Sequence, residues 1–393
     1  MAKRNKEIIM TADQLLSIHF PGKLVFGKGS LNNLSDEIVQ LSSSKVLVVT
    51  IDPLLSKIES FVEKLKANNI SVSVDTSIVA EPSFEDFEKL MEKVIPFNPD
   101  VVVGIGGGSV LDIAKLAAAQ LNNVQTLNEI VGIGLLKGRT KKLICAPATS
   151  GTGSEASPNA ILVDNADNQK KGIISPFLVP DIVYVDPLLT MSVPSSITAA
   201  TGLDALTHCL EAYTNKFAHP FINLFAYEGM RLIAANLVQA VKNGENEEAR
   251  TNVAMGSLLG GFCLGPVNTA GVHALSYPLG SMFHLAHGLS NALLLPHVME
   301  FNLSAAPQRY ADVAVALGCS REDDDIATAK NGIEKIKAIM IDCNFPLKLS
   351  DVGVTEDSLP QMAKDAMKIQ RLLKNNPRLI TEEDAIEIYQ AAF

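Results

Sequence analysis

Along the first half of the chain, short runs of Val, Ile and Leu alternate with longer stretches whose apolar residues recur every three or four positions. Residues 45–50 (KVLVVT) form one such run and predict a buried strand. Pro53 then opens an amphipathic stretch to about residue 67, and residues 70–74 predict a second strand. A helix pattern over about 83–95 leads to residues 100–105 (DVVVGI). Near-continuous β-branched runs joined by helices predict a parallel sheet covered on both faces. Residues 142–146 and 182–185 predict further strands, each followed by a proline-containing stretch. From about Pro194 the pattern changes. Residues 197–217, 220–243, 247–264, 356–373 and 381–392 carry helical spacing with almost no β-branched runs. The expected architecture is an α/β N-terminal domain with a parallel sheet, residues 1–190, and an all-α C-terminal domain, residues 191–393.

Two domains also suit a length of 393 residues. With 47% hydrophobic and 19% charged residues, the chain has the composition of a well-packed globular protein. A net charge of −10 without any Lys/Arg cluster argues against a nucleic-acid partner, whose phosphates need a basic surface. Residues 1–16 lack the apolar stretch of a signal peptide, and no run approaches the ~18–20 apolar residues of a membrane span. The 5 cysteines are odd in number, widely spaced and free of any C-x-x-C pair, which predicts reduced thiols. A cytoplasmic location with no membrane partner is expected.

Two loops carry candidate phosphate chemistry. In DVVVGIGGGSVLDIAK, Gly106, Gly107 and Gly108 follow a strand, Ser109 is a candidate N-cap, and Asp112 stands three residues on in a box-like arrangement. The helix from about Val110 would aim its free N–H groups and positive dipole end at the turn. Glycines are common in ordinary βα turns, and this is not the full dinucleotide fingerprint, but three in a row between strand and helix favour a phosphate. The second loop, PATSGTGSE at 147–155, offers Thr149 and Thr152 as donors to a diphosphate or ribose; its bland reading is a polar connection. Both would lie at strand C-terminal ends, where open α/β sheets bind nucleotides. Neither has the Gly-Lys-Ser/Thr ending of a P-loop.

Metal chemistry is concentrated in the second half. Of 7 histidines, His208, His219, His273, His284, His287 and His297 fall there. Asp204 and His208 are four apart on a helical pattern and share one face. Alone they would be an ordinary hydrogen-bonded pair. On one unbroken helix, His273 and His287 would be about 21 Å apart, too far to share an ion held at ~2.0–2.1 Å from each imidazole. Pro278 and Gly280 lie between them and are expected to interrupt the helix, letting His287 fold back beside His273. Three imidazoles and a carboxylate suit catalytic Fe2+, Zn2+ or another divalent ion. His284 is expected at the edge of the site, and His19, His219 and His297 are read as structural or surface residues.

The segments GGGSVLDIAK, PATSGTGSE, GLDALTHCLEAY and HALSYPLGSMFHLAHGLSNALLLPHV together resemble the iron-containing (group III) alcohol dehydrogenase family, in register over nearly the whole chain. The resemblance implies a dinucleotide-binding N-terminal domain, a helical metal-binding domain and a cleft between them. It implies Asp204, His208, His273 and His287 as metal ligands. It further implies Gly106, Gly107, Gly108, Ser109, Asp112, Thr149 and Thr152 as cofactor-binding positions, with Lys171 approaching the cofactor, and a homodimer or larger homo-oligomer. Two positions depart from the family pattern. Tyr277 stands where many members have a histidine, so Tyr277 or His284 would pass protons, or water would. Ile51, followed by Asp52, stands where NAD-preferring members carry an aspartate, so the resemblance admits NAD or NADP.

The implied activity is hydride transfer between a nicotinamide cofactor and a small primary alcohol or aldehyde, assisted by a Lewis-acidic metal. An alternative within the family is reduction of an anionic short-chain aldehyde or oxo acid; outside it stands a metal-dependent lyase resembling dehydroquinate synthase. Phe262, Leu264, Pro266 and Val267, and the segment Arg371, Leu372 and Leu373, are the candidate pocket positions. Arg371 would favour an anionic aldehyde if it points inward, although a surface salt bridge is its more ordinary role.

Overall fold

A computed structural model describes residues 15–78, 81–166 and 169–393. Residues 1–14, most of the segment read above as lacking a leader, lie outside the described residues. The strands are β1 (Lys23–Phe26), β2 (Lys45–Val49), β3 (Ser71–Asp75), β4 (Val101–Gly106), β5 (Gly132–Ile133), β6 (Lys142–Pro147), β7 (Asn159–Asp164), β8 (Gln169–Ile174) and β9 (Ile182–Val185). Six form one sheet in the order β1-β9-β6-β4-β2-β3, with every neighbouring pair parallel. Parallel neighbours need crossover connections, and the helices Leu55–Ala67, Phe84–Phe97 and Gly108–Gln120 supply three of them.

The unbroken apolar runs are explained by burial on both faces. Leu47, Val49, Val102, Leu143 and Cys145 point into one core with Val110, Leu111 and Ile113. The alternate residues Val46, Val48, Val101, Val103, Ile144 and Ala146 point into another with Ile58, Phe61 and Leu65. From β2 the chain steps outward to β3, then crosses back to place β4 on the other side of β2, with β6 and β9 beyond. The order therefore reverses between β2 and β4, and a crevice opens beyond their C-terminal ends.

Four strands escape the periodicity argument. β1 is a four-residue edge strand, half exposed. β7 and β8 form an antiparallel hairpin joined by β5 into a second, three-stranded sheet. Lysines, Gly172 and half-buried positions break its alternation.

Beyond β9 the chain is helical, beginning with Ser195–Thr214, Pro220–Lys242 and Glu247–Leu264. The first of these is buried around nearly its whole circumference, including Asp204, His208 and Glu211. Residues 356–373, expected as one helix, divide into a short turn Glu356–Ser358, a helix Leu359–Ala366 and a separate turn Gln370–Leu373. The break at 367–369 sets Arg371 on a turn of its own.

The loop after β6 meets the helical half at a pair of glycines. Gly153 has φ +60, and a Cβ built there would lie 2.4 Å from the Gly261 Cα. Substitution thus meets both a left-handed backbone and another backbone with no freedom to retreat. Gly153→Ala is expected to cost about 2–4 kcal/mol. Gly134→Ala, at φ +73 in open space, should cost only about 1 kcal/mol. Urea unfolding midpoints of the two variants check the difference; equal losses would mean the contact with Gly261 is immaterial.

Candidate metal centre and cofactor cleft

Four donor side chains converge from three helices. Asp204 and His208 lie on Ser195–Thr214, His273 on Gly271–Phe283, and His287 opens His287–Asn302. The fold-back that joins the last two occurs, but not where the sequence places it. Pro278 and Gly280 lie inside the helix Gly271–Phe283, which continues past both. It ends instead at His284, in the left-handed region at φ 54, with His284 N donating to Gly280 O and Leu285 N to Leu279 O. That pattern of carbonyl closure stops a helix regardless of composition, and a histidine there gives no sequence signal.

Asp204 Oδ1 lies 3.7 Å from His208 Nε2 and 3.6 Å from the Nε2 of both His273 and His287. One ligand atom from each of the four falls within 4.8 Å of the others. Ligands held at ~2.1 Å around a tetrahedral ion are separated by about 3.4 Å, so the spacing fits a shared divalent cation. Asp204, His208 and His273 are buried, whereas the His287 side chain is 31% exposed toward the cleft.

The electrostatics lead to the same fit. Burial alone would raise the Asp204 carboxyl, yet the three imidazoles outweigh it and hold it far below the usual carboxylate range. Burial pushes His287 down to about 3 and lowers His208 as well. Burial also acts to lower His273, but Glu211 and Asp204 outweigh it and push the imidazole up to about 9. The cluster is thus short of positive charge, and a proton on His273 is the smallest cation it can take.

Asn291 and Glu211 surround these ligands. Asn291 Nδ2 donates to Asp204 Oδ1 at 2.7 Å and lies 3.1 and 3.2 Å from the Nε2 of His273 and His287. One NH2 group has two protons for these three acceptors. Its own Oδ1 is buried without a hydrogen-bond partner. Glu211 Oε2 sits 2.6 Å from His273 Nδ1, and the carboxylate also accepts from Ala270 N and Val272 N. A proton on Nδ1, shared with Glu211, leaves Nε2 facing the cluster.

The same cleft, about 330 Å³, is lined by Gly107, Gly108, Ser109, Asp112, Thr149 and Thr152 and by the four donor residues. Gly106 ends β4 just behind it. The N-cap is Gly107 rather than Ser109: the helix starts at Gly108, two residues early, and no side chain caps it. Asp112 accordingly makes no capping box. It accepts from Ser154 Oγ at 2.5 Å and Ile161 N at 2.9 Å. A Cβ on Gly108 would lie 2.5 Å from Thr152 Cγ2, so only glycine lets the two loops touch while the helix N-terminus stays bare.

Lys115 explains how the second loop is fixed. Its Nζ, fully buried, donates to Ser154 Oγ at 2.8 Å, Ser157 O at 2.9 Å and Asn159 O at 2.7 Å. All three protons are used. Burial lowers the Lys115 pKa and raises that of Asp112, 3.9 Å away. Burial likewise pushes Glu155, in the same loop, up to about 7.

Other candidates fall outside the cluster. Lys171 lies 3.9 Å from Asp164 on the neighbouring strand, and the cleft wall is formed instead by Lys170, which pairs with Glu81. Successive strand residues face opposite ways, so a one-residue shift decides which lysine enters. His284 is exposed and lines an outer cavity of about 490 Å³ that shares Tyr277 and Lys170 with the inner cleft. The Tyr277 ring lies 6.4 Å from the His287 ring. His219 caps the helix Pro220–Lys242, His297 is pushed down to about 4 by burial, and His19 is exposed. Ile51 stands just past β2, packed against the sheet's cores, with Asp52 exposed beside it. Leu264 lines the cleft, whereas Phe262 and Pro266 line a separate cavity.

Sequence reasoning passed over Glu211, Asn291, Lys115 and Lys170. Two had a visible signal: Asp204, His208 and Glu211 form an i, i+4, i+7 stripe on an otherwise apolar helix, and Asn291 follows His287 by four.

Comparison with known proteins gives matches over nearly the whole chain. Residues 21–187 match the family model described as iron-containing alcohol dehydrogenase, and residues 198–393 that of the Fe-containing alcohol dehydrogenase family, C-terminal. Long-chain-alcohol dehydrogenase 1 of Geobacillus thermodenitrificans is 38% identical over 383 residues, 96% of either chain. A crystal structure of 1,3-propanediol oxidoreductase superposes with a TM-score of 0.93 at 31% identity, covering 96% of this chain and all of that one. Sulfoacetaldehyde reductase of Bifidobacterium kashiwanohense, solved in complex with NAD+, superposes with a TM-score of 0.86 at 27% identity, covering 96% and 98%.

Glu211→Gln should weaken divalent-cation affinity about 10- to 100-fold by loosening His273. Competition with a chromogenic chelator measures it, and unchanged affinity would show that Glu211 does not support the site.

Proposed function

The chain belongs to the iron-containing alcohol dehydrogenase family and is an alcohol–aldehyde oxidoreductase; from that premise we propose how its residues divide the work. Residues 106–109, 149 and 152 would hold a nicotinamide cofactor, and Asp204, His208, His273 and His287 would hold a divalent cation. The observation that carries this reading is the single cleft lined by both groups. Residues 1–190 then serve the cofactor and residues 191–393 the metal and substrate.

The bare N-terminus of the helix Gly108–Gln120 offers unpaired N–H groups and a positive dipole end to the cofactor diphosphate. Thr149 and Thr152 add hydroxyl donors from the facing loop. A bound divalent cation supplies Lewis acidity toward the substrate oxygen. Fe2+ is the ion of the family's name, and Zn2+ or another divalent ion suits the same three imidazoles and carboxylate. The protein holds both reactants in one crevice and keeps water away from the carbon that gains or loses hydride. Proton passage is assigned to Tyr277 ahead of His284, because Tyr277 borders the ligand set and His284 lies at the outer cavity. NAD and NADP both fit a chain with Ile51 after β2, which puts the nearest carboxylate of that turn, Asp52, one position further on. The working form is a cytoplasmic homodimer or larger homo-oligomer.

Two measurements test this reading. Chelated protein and His273→Ala should each lose at least a thousandfold in aldehyde-dependent oxidation of the reduced cofactor, as removal of a Lewis acid worth several kcal/mol requires. His273→Ala should still quench and bind the reduced cofactor. Full turnover by metal-free protein would contradict the assignment. Ile51→Asp should lower kcat/KM for NADPH at least tenfold relative to NADH, through like-charge repulsion of the 2′-phosphate. An unchanged ratio would place the ribose elsewhere.

A further inference from the structure

Among the described residues, Arg371 has no partner for the surface salt bridge that is its ordinary role. Half-buried on the turn Gln370–Leu373, it lines the inner cleft together with the four donor residues. The acids at the cleft mouth, Glu81 and Asp365, are already paired with Lys170 and Lys368. Arg371's hydrogen bond is to a neutral group: Nη2 donates to the Tyr277 hydroxyl at 2.7 Å. Its guanidinium also lies 5.8 Å from the Tyr277 ring centroid. Four of its five N–H donors are therefore left for other partners.

A cation withdrawn from water without a counter-ion is costly unless a ligand supplies one. The planar fork of a guanidinium matches an oxyanion group in bidentate fashion. Tyr277 braces the fork, and its ring lies 6.4 Å from the His287 ring. Lys170, also 5.8 Å from that ring, lies on the same wall with its charge met by Glu81, so Arg371 is the cation left for a ligand. Arg371, Tyr277 and the four donor residues thus line one cleft of about 330 Å³, room for a small substrate.

We propose that the substrate is a short-chain aldehyde with an oxyanion group, carboxylate or sulfonate, at the end remote from the carbonyl, and that Arg371 binds that group. This rests on the hydride-transfer reading above. In the reaction the carbonyl carbon gains hydride from the reduced nicotinamide and the oxygen gains a proton from water. The products are the hydroxy-acid anion and the oxidised cofactor.

The test compares kcat/KM for 4-oxobutanoate and for a two-carbon sulfonated aldehyde with that for pentanal, a neutral chain of similar length. The native protein should favour at least one anionic aldehyde more than tenfold, and which one identifies the headgroup. Arg371→Ala should cut that ratio about ten- to a hundredfold, the scale of a lost hydrogen bond to a charged group. Arg371→Lys should restore part of it. A native ratio at or below one for both anions would overturn the proposal. So would equal losses for neutral and anionic aldehydes, or a raised cofactor KM with an unchanged ratio. Calorimetry of succinate binding to the cofactor-loaded protein gives a separate reading: saturable in the native protein and lost in Arg371→Ala. If no aldehyde is turned over, the hydride-transfer reading fails on its own account, and the succinate titration still decides the anion site.

Discussion

Everything in the helical half is arranged around one buried carboxylate. Asp204 is 3% exposed and, among the described residues, has no lysine or arginine against it; its neighbours are three imidazoles and an amide. An uncompensated buried carboxylate costs several kcal/mol. A helix would not carry one at its centre unless something positive came to meet it. Glu211, one helical turn beyond His208, deepens the negative charge and at the same time turns His273 so that Nε2 joins the cluster. Acceptors outnumber protons there, and a divalent cation balances both counts.

The cluster shares one cleft with residues of the α/β half. The sheet reverses its order between β2 and β4, so the glycine turn and the loop after β6 open on the same side. Lys115 and Asp112 tie that loop to the helix Gly108–Gln120 through Ser154, and the adjacent Gly153 packs onto Gly261 of the helical half. Those two anchors hold the C-terminal end of the loop, beside Thr152, against both halves of the protein. Rigidity here serves geometry, because hydride transfer needs the two reactants aligned at close range.

Much of this was legible in the sequence, and the reasons differ by residue. The central strands were plain because burial on both faces leaves only apolar residues. β1 and the β7–β8 hairpin were not, since edge position and half-burial erase the pattern. The donor set could be read from spacing, yet the turn that assembles it could not. Pro278 and Gly280 look like breakers but sit within a helix, and His284 ends it through backbone conformation. Lys171 and Lys170 show the limit most sharply: adjacent lysines are equivalent in composition, and only strand register decides which faces the cleft. Arg371 is similar, since an arginine near a chain's end ordinarily meets solvent, and only the break at residues 367–369 turns it inward.

The central claim is that Asp204, His208, His273 and His287 jointly hold one divalent cation facing the cofactor cleft. Anomalous diffraction from crystals grown with Fe2+ or Zn2+, recorded on both sides of the metal's absorption edge, tests it directly. The account predicts one strong peak per chain, within about 2.0–2.2 Å of Asp204 Oδ1 and the three Nε2 atoms. A peak held by other residues, or none between these four in crystals that bind the metal elsewhere, would contradict it.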